Sequence, residues 1–172
     1  EETGVGKARG VAGNRLFPPG VDDVLFRKGF PAIVPPLVEA YKPDVVVTQL
    51  GVDTFHDDPL AHGQVTTNGF VAVLQQLKAL APRWIATGGG GYNLTNVARA
   101  WTLAWGVMND VEVPDPLPEA ALPLLHRAGY AGRTLRDSER TLPQAQRARL
   151  RVEVQAAIAY LERHVFPIHG IH

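Results

Sequence analysis

The chain has 172 residues, of which 45% are hydrophobic, enough for about one domain with a buried core. Its 17 Lys+Arg balance 17 Asp+Glu, so nothing in the net charge favours nucleic acid or an anionic membrane as a bulk partner. It has no cysteine, so no disulfide framework and no thiolate site, and no apolar run reaches transmembrane length.

The chain opens Glu1-Glu2-Thr3-Gly4 without a secretory signal, and its one methionine is Met108. The expectation is a piece of a longer protein, or a start not recorded, in a cytoplasmic setting that the lack of cysteine permits. Residues 4–13 hold four glycines and read as a loop. Asn14 to Gly20 could hold a short edge strand ending at Pro18-Pro19. Val21-Asp22-Asp23 offers caps for a helix. The run from Val24 to Tyr41 is interrupted by Pro31 and Pro35-Pro36. That predicts two helical pieces, the second starting near Pro35.

Asp44 to Leu50 is the clearest strand, and its three consecutive valines predict burial on both faces, as in a parallel sheet. Gly51 to Gly63 is a polar loop with Asp53, His56, Asp57, Asp58 and His62. There Asp57 and Asp58 read as loop-fixing residues, with Asp58 starting a turn before Pro59, and the two histidines as exposed. Thr66-Thr67-Asn68 caps a helix with the stripe Phe70, Leu74, Leu77 and Ala81. A second short strand, Arg83 to Thr87, runs into Gly88-Gly89-Gly90-Gly91-Tyr92-Asn93. Asn93 is a plausible N-cap for a helix with apolar residues at 94, 97, 98, 101, 104, 105 and 108, which puts Trp101 and Trp105 in the core.

From 109 the prolines at 114, 116, 118 and 123 mark a surface connection, and Arg127 to Arg140 reads as irregular. The arginines from 133 to 151 read as a solvated face, because acidic residues and leucines interleave them. Gln144 to Val165 is helical, with Leu150, Val154, Ile158, Leu161 and Val165 on one face. Ile168 to His172 reads as a frayed tail.

Strand, helix, strand at this spacing is a βαβ unit with a right-handed crossover. The fold class is α/β, with a parallel sheet flanked by helices. Both strands then open their carboxyl ends on one edge, where open α/β sheets bind ligands. The loops of Asp53 and Tyr92 should face one crevice there. On its own the glycine run is ambiguous between a tight turn with a packed tyrosine and a backbone cradle. The Lys-Ser or Lys-Thr of a phosphate-binding loop and the spacing of a dinucleotide fingerprint are both absent.

Loop and glycine turn together are more specific. Gln49-Leu50-Gly51-Val52-Asp53-Thr54, Asp58-Pro59-Leu60, Gly88 to Asn93, Asn96-Val97-Ala98-Arg99 and Trp101, with Asp53 and Tyr92 standing 39 positions apart, resemble the C-terminal half of zinc-dependent histone deacetylases. The branch most resembled is that of the bacterial acetoin-utilisation deacetylases. The matching segments span roughly residues 44–108, and the Asn14 to Asp23 stretch resembles the family's preceding strand and loop. The resemblance implies an arginase/deacetylase-like sheet, a Zn2+ cofactor and hydrolysis of the acetyl-lysine of a protein, or of an acetylated small amine. It implies Asp53 as a zinc ligand and Tyr92 as the donor to the acetyl carbonyl. Leu60 would line the acyl-lysine tunnel, and Gly90 and Gly91 would supply backbone beside it.

The family's Asp-x-His ligands and adjacent histidine pair do not occur in this sequence. The expectation is therefore that residues 1–172 are the C-terminal part of one deacetylase domain, inactive in isolation. Residues 1–110 would carry sheet and site, and 111–172 the connection and last helix. Two other classes compete: a non-catalytic binding module on the same fold, and a nucleotide-binding α/β domain.

Overall fold

A computed structural model describes residues 17–171. The reading of residues 4–13 as a loop, and residues 14–16 of the expected edge strand, lie outside the described residues; Phe17 to Gly20 form no strand and end in a turn. Five α-helices and two strands follow in the order α1 (Asp23–Tyr41), β1 (Val46–Gln49), α2 (Thr67–Leu80), β2 (Trp84–Thr87), α3 (Leu94–Asn109), α4 (Leu122–Arg127) and α5 (Gln144–His164), then a short 3-10 turn at Phe166–His169.

The helix starts follow local chemistry. Asp22 accepts from the Leu25 N–H, Thr66 from the Asn68 N–H and Asn93 from the Thr95 N–H. Each short polar side chain satisfies one of the donors that a helix N-terminus leaves unpaired. Where sequence predicts two helical pieces, α1 runs unbroken through Pro31, Pro35 and Pro36. Each proline removes an intrahelical hydrogen bond. Packing offsets that loss: Leu25 lies in a cluster with Leu150 and Val154, and Ile33 in one with Leu161, Val165 and Phe166.

β1 and β2 pair in parallel, with Val46 opposite Trp84 and Gln49 opposite Thr87. The crossover is α2, so this is the βαβ unit the spacing predicts. One face of the sheet carries the main core. Trp84 and Ala86 pack there against a cluster of Phe70, Val73, Leu74 and Leu77 from α2 and Ala100 and Ala104 from α3. Leu50, Val52 and Phe55 bring the first part of the Asp53 loop into the same cluster.

The other face departs from the expectation of burial on both sides. Val47 is 63% exposed and Ile85 53%. Side chains alternate across a strand, and no described helix covers this second face.

Residues 111–137 are tied down rather than loose. Leu117, Leu122 and Leu135 pack with Val71 of α2 and Leu103 of α3. The short helix α4 has no counterpart in the sequence reading. Residues 128–140 are irregular, as expected. Several arginines expected on a solvated face are paired: Arg133 with Glu119, Arg136 with Asp115, and Arg147 with buried Asp22. Phe166–His169 forms a 3-10 turn with Phe166 buried, so Ile168 and His169 of the expected tail lie in that turn.

Candidate active site

The carboxyl ends of β1 and β2 carry the two loops of interest, and backbone bonds join them. The Leu50 N–H donates to the Thr87 carbonyl at 2.9 Å, and the Val52 N–H to the Gly90 carbonyl at 2.6 Å. The ladder thus continues past the strand ends, one residue short of Asp53. Glycine is required along this seam. A Cβ on Gly89 would lie 2.8 Å from the Gly51 backbone, and one on Gly90 would overlap the Asp53 carboxylate. Gly90 therefore lets a carboxylate rest against bare backbone.

The structure brings Asp53, Gly90, Gly91 and the Tyr92 backbone to one edge of the sheet. Tyr92 is 55% exposed, just before the start of α3. Leu60 is 61% exposed, at the tip of the Asp53 loop. Behind Leu60 lies an apolar pocket of about 290 Å³ lined by Phe17, Pro18, Val21, Phe26 and Val65 among others. Asp53 offers metal-binding oxygens, but among the described residues no group of three His, Cys, Asp or Glu side chains converges.

Asp57 and Asp58 hold these pieces together, as the loop-fixing reading expects. Asp58 Oδ1 accepts from the Leu60 N–H at 2.9 Å, and its Oδ2 from the Tyr92 N–H at 2.8 Å. Burial pushes the Asp58 carboxyl up. Backbone N–H groups of Tyr92, Leu60, Ala61 and Asn93 outweigh that and hold it below the ordinary carboxylate value. Asp57 accepts from the side-chain amides of Asn93 and Asn96 at 3.0 and 2.6 Å.

The inner face of α3 sets Asn96 and Arg99 beside Ala100, Leu103 and Ala104, and is turned from the stripe the sequence predicts. Asn96 and Arg99 are buried, at 0% and 2% exposure, while Leu94 and Trp105 are 74% and 56% exposed. Trp105 is thus a surface residue, contrary to expectation; Trp101 packs against the main core. Arg99 is the residue that apolar periodicity misses. Its guanidinium reaches Asp137, the Leu135 carbonyl and Asn96, and lies over the Tyr130 ring. A charge buried in this way needs such partners, and Asp137 is too far along the chain for local patterning to reveal.

His56 donates its backbone N–H to Val65, and its ring lies 3.9 Å from Asp57. His62 is exposed. No described helix is long and apolar enough to cross a membrane.

Comparison with known proteins places the chain in a family. The histone deacetylase domain matches residues 1–108. Histone deacetylase 9 of Arabidopsis thaliana is 34% identical over 119 residues, covering 69% of this chain and 28% of that protein. Histone deacetylase RPD3 of Saccharomyces cerevisiae is 32% identical over 117 residues, covering 68% and 27%, and human histone deacetylase 1 is 32% identical, covering 68% and 24%. A crystal structure of an HDAC homolog complexed with SAHA superposes with a TM-score of 0.75 at 27% identity, covering 91% of this chain and 44% of that one. The chain thus spans about a quarter of the length of these curated relatives, and its parallel strands, flanking helices and glycine turn have the α/β deacetylase-like architecture. On sequence and structure together, the chain belongs to the histone deacetylase family.

Proposed function

We propose that this chain carries the Asp53 and Tyr92 portion of a zinc-dependent deacetylase site that hydrolyses the acetyl-lysine amide of a protein. The observation that supports it is the Asp53 carboxylate resting against Gly90, two residues before Tyr92, at the carboxyl edge of parallel strands. In this reading Tyr92 donates its phenol hydrogen to the acyl oxygen as negative charge develops there. Leu60 offers an apolar wall to the acyl-lysine stem. Gly90 and Gly91 keep the floor free of side chains.

The metal needs more than these residues provide. A catalytic zinc takes three protein ligands; among the described residues no group of three converges, and the resemblance points to Asp53 alone. The remaining ligands and the proton-transfer histidine pair would come from chain outside these 172 residues. Zinc, when bound, polarises the carbonyl and lowers the pKa of a water. The 172 residues are then the C-terminal part of one deacetylase domain, in the branch of the bacterial acetoin-utilisation enzymes, and inactive alone. The open sheet face of Val47 and Ile85 supports this, as a surface that further strands and helices would cover. Packing of Leu117, Leu122 and Leu135 against α2 and α3 supports one domain in which residues 111–172 belong with 1–110. The proposed setting is cytoplasmic.

Zinc analysis of the full-length protein and its Asp53→Ala variant tests this. Stoichiometric zinc in wild type and loss of most of it in Asp53→Ala is expected, because the site drops from three ligands to two. Equal zinc in both removes Asp53 from the ligand set. No zinc in either favours the non-catalytic binding module.

A further inference from the structure

Two adjacent carboxylates clamp the turn on both sides of Tyr92. Asp58 Oδ2 takes the Tyr92 N–H at 2.8 Å, and its Oδ1 takes the N–H groups of Leu60 and Ala61 at 2.9 and 3.4 Å. Asp57 Oδ2 takes the Asn93 side-chain amide at 3.0 Å, and its Oδ1 that of Asn96 at 2.6 Å. An ionised carboxylate accepts only, so both asparagines must present nitrogen to it. Asn96 is fixed a second time from behind. Its Oδ1 accepts from Arg99 Nη2 at 2.8 Å, and a guanidinium only donates. The amide of Asn96 therefore has a single orientation, set by an acceptor on one side and a donor on the other.

The chain of contacts runs from Asp137 through Arg99, Asn96 and Asp57 to the Asp53 loop. Asp58 joins the tip of that loop, Leu60, to the backbone of Tyr92. The Asp53 loop and the glycine turn are far apart in sequence, and backbone ladder contact between them ends at Gly90. Beyond that point the two aspartates carry the connection.

We propose that Asp57 and Asp58 are positioning residues for the reaction. They fasten the Tyr92 turn to the Asp53 loop, so that the phenol, the metal-ligand loop and Leu60 keep one relative placement. Neither aspartate touches substrate. The proposal rests on the reading of Tyr92 as the carbonyl donor. Small misplacement of a catalytic group far from the mutated atom is enough to slow a reaction strongly.

A swap of side chains tests it in the full-length enzyme, with an acetyl-lysine peptide as substrate. Asp57→Asn turns an amide nitrogen towards one of two donors and breaks one bond. Adding Asn93→Asp restores it with the direction reversed, while an aspartate at 93 still caps α3. Asp57→Asn is expected to lower kcat about tenfold or more, with KM within about twofold. The double variant Asp57→Asn/Asn93→Asp should return kcat to within about threefold of wild type. A kcat for Asp57→Asn within about twofold of wild type overturns the proposal, and so does a loss that the swap leaves unrepaired. Amide hydrogen exchange reads the fastening without turnover. Asp58→Asn should speed exchange at the Tyr92 N–H about tenfold or more beyond the change seen at amides that exchange only by global unfolding. Unchanged exchange there overturns the fastening even in a preparation with no activity. Full activity in Tyr92→Phe, by contrast, counts against the reading of Tyr92 and leaves the exchange result to stand.

Discussion

Arg99 Nη1 lies 2.7 Å from Asp137 Oδ1, with the two side chains only 2% and 9% exposed. The pair joins the middle of α3 to the irregular segment after α4. Asp137 also accepts from the Thr67 N–H at 2.9 Å, at the start of α2. One carboxylate thereby ties three parts of the fold. Removing one partner of a buried pair leaves the other charge unpaired, which costs about 3–5 kcal/mol. Arg99→Ala is expected to destabilise the protein by about that much in urea unfolding. The loss in the double variant Arg99→Ala/Asp137→Ala should fall short of the sum of the two single losses. Additive losses would mean that the pair does not act as one unit.

The starts of α1, α2 and α3 are legible in the sequence because caps are local. Asp22, Thr66 and Asn93 each bond a backbone N–H two or three residues on. The parallel pairing of β1 and β2 followed from a crossover helix between two short apolar strands. What local pattern could not give was which faces meet protein. Three valines in a row read as a strand covered on both sides, yet Val47 faces outward. The stripe of α3 puts Trp105 inside, whereas the buried side combines Ala100, Leu103 and Ala104 with Asn96 and Arg99. The partners of the last two, Asp57 and Asp137, lie 39 and 38 positions away. The prolines of α1 misled for the same reason, since the helices packed against it decide whether it breaks. At the site, Asp53 and Tyr92 were legible as residues, and the seam of Gly89 and Gly90 that joins their loops was legible as a glycine run without its purpose.

The Asp58 carboxyl has a pH consequence of definite sign. Its pKa is held below the ordinary value in the folded protein. Between the two values the unfolded chain binds more protons than the folded one. The stability that Asp58 contributes is therefore present above the unfolded pKa and lost as pH falls through the folded pKa. Asp23 acts in the opposite direction: burial raises its carboxyl pKa, against the bonds from Thr66. Comparing wild type with Asp58→Asn isolates Asp58, since Asp23 is common to both. The gap in stability between them should be largest near neutrality and shrink below about pH 4. A gap that stays constant from pH 7 to pH 3 would contradict this.

Gly90 gives a prediction about space. A Cβ there overlaps the Asp53 carboxylate, so even alanine must displace one loop against the other. Gly90→Ala in the full-length enzyme is expected to lower kcat about tenfold or more, because the displaced groups are the proposed ligand and the turn before Tyr92. Gly88→Ala is the control. Its Cβ would meet nothing closer than 3.7 Å, from the Trp101 ring. Activity in Gly90→Ala equal to that in Gly88→Ala would remove the seam from the account.

The most direct measurement is the turnover of an acetyl-lysine peptide by the full-length enzyme and its Tyr92→Phe variant. The substitution removes one oxygen from a residue that is 55% exposed and leaves the cap at Asn93 and the bonds of Asp58 in place. If the phenol hydrogen bond strengthens as charge develops on the carbonyl oxygen, its loss falls on kcat more than on KM. Tyr92→Phe is expected to keep its zinc and its melting temperature and to turn over about 100- to 1000-fold more slowly. Turnover within about threefold of wild type, a difference of well under 1 kcal/mol in the barrier, would contradict the assignment of Tyr92 as the carbonyl donor.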